Sequence, residues 1–141
     1  MKIVLILFFV ACALVACGGS ANQTATDSAA PEERGKEIVA ERACASCHSA
    51  DLAGADTPRP GTRVFPANLT PDADTGIGTW SDADVARAIR TGVDDEGASL
   101  CSAMPRFGDL SDEDAAAIVA YLRALPAVRH EVPASRCGGA T

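Results

Sequence analysis

Apolar positions along this chain form one unbroken block and three periodic segments. The block is IVLILFFVACALVA, residues 3–16. It has no polar face, so it reads neither as an amphipathic helix nor as a half-buried strand. A small, polar, unpatterned stretch follows, GGSANQTATDSAAP at 18–31. The first periodic segment covers Pro31–Ala43, with Pro31 suited to a first helical position and Glu32 and Glu33 at the positive end of the helix dipole. The second begins at Ser81. Ser81 and Asp84 have the spacing of a capping box, Trp80 and Val85 that of a hydrophobic staple, and Gly92 supplies a left-handed stop. The third begins at Ser111, with Asp114 again three residues on. Ile118, Tyr121, Leu122 and Leu125 form one apolar face before Pro126 ends it.

Between these segments lie 51–79 and 93–110, rich in Gly, Pro and Asp and without strand alternation. The pattern therefore predicts an all-α domain with three main helices and long loops. Loops of this length are unusual in a compact domain unless they serve a function. Beyond residue 30 the aromatic residues are only Phe65, Trp80, Phe107 and Tyr121, a thin supply for a core. A large apolar cofactor wrapped by the loops would supply what the side chains lack.

The apolar block is short for a membrane span and follows Met1-Lys2, the arrangement of a secretory signal. Its end, LVAC, resembles the bacterial lipobox, in which cleavage precedes the cysteine and lipid is added to its thiol. The division expected is a lipoprotein signal peptide at 1–16, a lipidated Cys17 with a flexible tether at 17–30, and one domain at 31–141. Such a tether reaches about 20 Å, and several acyl chains make anchoring stable. The alternative is ordinary cleavage with Cys17 free, or an uncleaved anchor. A formal net charge of −7, with no basic run, argues against nucleic acid as a partner. Export puts Cys44, Cys47, Cys101 and Cys137 in an oxidising compartment.

Residues 44–48 read Cys-Ala-Ser-Cys-His. A thioredoxin-like dithiol needs a preceding strand, and none is predicted. A structural zinc site needs a second close pair of ligands, whereas Cys101, His130 and Cys137 are widely spaced. Covalent attachment of haem c needs only what is present: Cys44 and Cys47 for the two vinyl groups, and His48 for the iron. Methionine and histidine are the other axial ligands to consider, which leaves Met104 and His130. Met104 is favoured, because Pro105 stiffens its backbone and a capped helix follows; its alternative is a gap-filling role. His130, in a polar tail, is expected to be solvated. Cys101 and Cys137 are expected to pair as a disulfide, the alternative being two separate buried thiols.

The segments GKEIVAERACASCH, PANLTPD and MPRFGDLSDEDAAAIVAYLRAL resemble class I c-type cytochromes over nearly all of 31–137. NLTPDADTGIGTWSDADVARAIRTGV is similar to the haem domains of cytochrome c subunits of membrane-bound sugar and alcohol dehydrogenases. The resemblance implies a cytochrome c-like fold and a helix crossing at Gly35, with Ile38 and Val39 facing Tyr121 and Leu122. It implies Leu69 packed on the haem and a backbone carbonyl before Asn68 accepting from His48. Family members commonly carry proline at that carbonyl; here it is Ala67, with Pro66 one step earlier. DADTG at 72–76 resembles part of a calcium loop but lacks the closing Glu, so a turn is expected.

Two protein axial ligands leave no open iron position, the condition of an electron-transfer centre. The expectation is a monomeric, lipid-anchored monohaem carrier on the periplasmic side of the bacterial envelope, not itself an enzyme. A dehydrogenase, reductase or terminal oxidase would be its redox partner, and the negative balance suggests a positively charged docking face there. A labile Met104 would instead suit a haem peroxidase or gas sensor. A fixed relay subunit of a dehydrogenase complex is the other alternative.

Overall fold

The structure, a computed structural model, describes residues 30–137. The proposed signal peptide, Cys17 and nearly all of the tether lie outside those residues. Four helices in the order α1 (Pro31–Glu41), α2 (Ala45–His48), α3 (Asp82–Thr91) and α4 (Asp112–Ala124) make up the regular structure. Among the described residues, β pairing is confined to the isolated bridges Arg63↔Arg136 and Val93↔Ser99, so the fold is all-α as the periodicity predicts. No helix among the described residues is long and apolar enough to cross a membrane.

Helix α1 begins with its proline in the first turn and carries Glu32 and Glu33 there. It ends two residues before the expected boundary, because Ala43 takes a left-handed φ of 53° and turns the chain. That turn launches α2, a single helical turn too short for any periodic signal to reveal. Helix α3 opens with a complete capping box between Ser81 and Asp84 and closes at Gly92, whose φ is 72°. Helix α4 uses only half of the expected device. The Ser111 hydroxyl accepts from the Asp114 amide, while the Asp114 carboxylate instead accepts two bonds from Arg34, at 3.2 and 3.1 Å. A residue read as a local cap therefore ties α4 to α1.

Those two helices cross at Gly35. A Cβ there would fall 2.0 Å from the Ala117 carbonyl oxygen, so only glycine permits the approach. Ile38, Val39, Ala117, Ile118 and Leu122 pack around the crossing, joined by Val85 from α3. Leu69, Trp80, Phe107 and Tyr121 are only partly buried and lie against this cluster. The core is thus closed around the helix crossing, with Leu52, Ile77 and Leu110 buried in it from the loops.

Side chains hold the loops by satisfying backbone groups. In the 72–76 turn, Asp72 accepts from the amides of Asp74 and Thr75 and from the Thr75 hydroxyl. Those bonds, the hydroxyl first, keep its carboxyl below the usual range. Asn68 and Thr70, 3% and 0% exposed, anchor the tail that follows α4. The Asn68 amide donates to the Val128 carbonyl at 2.7 Å, and the Val128 amide donates to the Thr70 hydroxyl at 3.1 Å. The tail then runs antiparallel to 63–65, with the Arg136 amide donating to the Arg63 carbonyl at 2.9 Å.

Candidate functional site

The left-handed turn at Ala43 puts Cys44 at the start of α2, so that Cys44, Cys47 and His48 occupy one helical turn. Both thiols are free and half-buried. Burial pushes the Cys44 thiol up from its ordinary range. His48 is 7% exposed, and burial holds its imidazole below the ordinary histidine value despite an opposing hydrogen bond to Ala67. That bond joins His48 Nδ1 to the Ala67 carbonyl at 2.7 Å. A carbonyl can only accept, so the proton sits on Nδ1 and the lone pair sits on Nε2. Alanine in place of proline leaves this contact intact, because it needs only the backbone oxygen. Two thiols and an imidazole with one oriented free nitrogen fit a covalently attached haem.

Leu69 is half-buried against the core, its amide donating to the Leu52 carbonyl at 2.8 Å. Met104 is half-buried in a turn closed by its own amide and the Cys101 carbonyl, 3.0 Å apart. Its segment is tied down on three sides. Leu100 and Phe107 donate to the carbonyls of Gly92 and Ile89 at the end of α3. Cys101 is disulfide-bonded to Cys137 in the tail, with a Cα–Cα distance of 4.9 Å. Arg42, two residues before Cys44, pairs with Asp109 at 2.6 Å and lies over the Phe107 ring, 5.7 Å from its centroid. That arginine joins the thiol segment directly to the Met104 segment.

His130 departs from the solvated side chain expected of it. Its Nδ1 bonds the Ala53 carbonyl at 2.8 Å and its Nε2 faces Asp56 at 3.0 Å. The Ala53 carbonyl first, then Asp56, raise its pKa above the ordinary value. The polar composition of the tail concealed this, because the partners lie more than 70 residues away. Two arginines are equally invisible in the sequence. Arg42 forms the staple just described, and Arg59 donates to Cys47 Sγ at 2.8 Å from a loop without periodicity. Only proximity in the fold reveals either. Among the described residues, no group of three or more His, Cys, Asp or Glu converges as a metal site.

Residues 32–126 match the cytochrome c family model. The chain belongs to the cytochrome c family. As a cytochrome c, it carries covalently bound haem c and serves electron transfer. A subunit of the nicotinate dehydrogenase of Pseudomonas putida is 39% identical over 116 residues, covering 77% of this chain and 10% of the relative. The gluconate 2-dehydrogenase cytochrome c subunit of Pantoea cypripedii is 35% identical over 96 residues, covering 63% of this chain and 22% of the relative. A diheme cytochrome c-type protein of Cereibacter sphaeroides is 35% identical over 106 residues, covering 66% of this chain and 36% of the relative. The chain thus spans between a tenth and about a third of the length of these relatives.

Proposed function

We propose that this cytochrome c is a lipid-anchored, monohaem electron carrier of the bacterial cell envelope. Cys44 and Cys47 hold the haem covalently, and His48 and Met104 take the two axial positions. Bound haem supplies the one-electron couple, and the chain supplies burial, orientation and tuning. The observation that carries the reading is the His48–Ala67 bond, which fixes the imidazole tautomer with Nε2 available to iron. His130 supports the assignment of Met104 by default. Its Nδ1 donates to a carbonyl and its Nε2 faces a carboxylate, so neither nitrogen is free for a metal. Met104 offers a soft thioether, which favours the reduced iron and raises the potential relative to two histidines. Arg42, the α3 carbonyls and the disulfide restrain its segment, as a weak ligand requires.

The leader, the lipidated Cys17 and the tether would fix the domain close to a membrane on the exported side. The relatives named as dehydrogenase subunits support a dehydrogenase as electron donor. They equally support a fixed relay subunit as the second reading. Co-purification with a dehydrogenase through high salt would favour the fixed relay over the mobile carrier.

The ligand assignment is tested with Met104→Ala and His130→Ala. In the Met104 variant, the weak far-red sulfur–iron absorption of the oxidised protein should vanish, the potential fall and cyanide bind. The His130 variant should keep all three properties of the parent. The opposite pattern would make the iron bis-histidine.

A further inference from the structure

The described residues contain ten arginines, and six of them pair with carboxylates: Arg34, Arg42, Arg87, Arg90, Arg123 and Arg129. The other four, Arg59, Arg63, Arg106 and Arg136, have no carboxylate among the described residues within ion-pairing distance, in a protein with net charge −7. Their positions are not scattered. Arg59 donates to Cys47 Sγ. Arg59 and Arg63 flank a single turn, in which the Thr62 amide donates to the Arg59 carbonyl at 3.0 Å. Arg136 stands directly opposite Arg63 in an antiparallel bridge and precedes the disulfide-bonded Cys137. Arg106 lies two residues after Met104 and spends its Nε on the Thr91 carbonyl.

Cross-strand partners project to the same face, and like charges so placed repel. Arg63 and Arg136 lie on the surface, and neither is within ion-pairing distance of a carboxylate among the described residues. An acidic chain that pairs six of its ten arginines with carboxylates thus leaves three unpaired ones together beside a haem-attachment cysteine. Electrons enter and leave near the haem edge, so a charge here acts on docking far more strongly than the net charge does. We infer that Arg59, Arg63 and Arg136 form the docking patch for an acidic face of the redox partner. The local field thus reverses the expectation drawn from the whole-chain charge. Steering of this kind raises association rates by about 10- to 1,000-fold and fades with salt.

The patch rests on haem attachment at Cys44 and Cys47, which a haem stain on a denaturing gel checks separately for each protein used. The probe is hexacyanoferrate(III), a trianion that takes one electron from the reduced holoprotein and becomes hexacyanoferrate(II). Its rate with the parent protein should fall as salt is added, although both species are negative overall. Arg63→Glu and Arg136→Glu should each slow it roughly three- to tenfold at low salt, a difference lost at high salt. Lys36→Glu changes net charge equally from an exposed position on α1 and should have less than about twofold effect. Poly-L-glutamate should inhibit the parent and spare the Arg63→Glu/Arg136→Glu protein.

A parent rate that rises with salt, or equal slowing by all three single variants, would show that net charge governs and overturn the patch. A shifted haem potential in the arginine variants, with unchanged salt dependence, would assign the arginines to the haem carboxylates and overturn docking.

Discussion

The α1–α4 crossing and the loops that face it are built on different principles. At the crossing, Gly35 lets two backbones meet, and Ile38 and Leu122, each 2% exposed, close a core made of protein alone. On the loop side, Leu69, Met104 and Phe107 are only half-buried, although Leu52, Ile77 and Leu110 reach the core. The chain there is held by side chain–backbone bonds, a disulfide and Arg42. The contrast separates a side that packs on itself from one that leans on polar bonds and a covalent strap. Beyond residue 30 the chain has only four aromatic residues, so covalent haem is expected to supply apolar core that these loops enclose. Substitutions on the two sides should therefore have unequal effects.

The largest effect belongs to the anchor itself. Cys44→Ala with Cys47→Ala should abolish covalent haem and leave a largely unfolded chain, seen as lost helical circular dichroism. A folded, haem-free double variant would mean that the loop side closes without the cofactor.

Next comes the strap across the loop side. Cys101 and Cys137 are 36 positions apart, and closing a loop of that length is worth about 3–4 kcal/mol at most in the chain-entropy estimate. Replacing both by serine should lower the thermal midpoint and remove the far-red band before haem is lost. Retention of the band up to global unfolding would show that the bridge does not hold Met104.

On the helical side, Gly35→Ala places a methyl against the Ala117 carbonyl and should cost roughly 1–3 kcal/mol or more by overpacking. Denaturant unfolding measures it. The far-red band expected of a Met104–iron bond should survive in the folded fraction, because the strain lies away from the Met104 loop. Loss of the band without loss of stability would contradict the division into two sides.

The smallest effect is that of the His130–Asp56 contact. His130 has a raised pKa in the folded state, so its stabilising contribution is fully present below the unfolded value of about 6.5 and lost as pH rises through the raised value. The difference in thermal midpoint between parent and His130→Ala should shrink across that window. A difference that grows with pH would reverse the assigned sign.

The two sides also differ in how much of them the sequence betrays. Ser81, Asp84, Gly92 and Ser111 mark helix ends through contacts within three or four residues, so α3 and α4 are legible to within a residue. The Cys-x-x-Cys-His spacing marks the proposed attachment segment for the same reason, and the fold gathers it into one helical turn. The exceptions are tertiary. Ala43 turns left-handed to start α2, Asp114 leaves its local cap for Arg34, and His130 finds partners across the fold. Arg59 reaching Cys47 and Arg136 facing Arg63 have no periodic signature, because loop positions are set by what the loops enclose.

Intact-mass measurement of the purified, denatured protein reads covalent haem attachment directly. One haem per chain should be retained through denaturation and be absent from the Cys44→Ala/Cys47→Ala protein. A bare polypeptide mass for the parent, from cells competent in haem attachment, would contradict it.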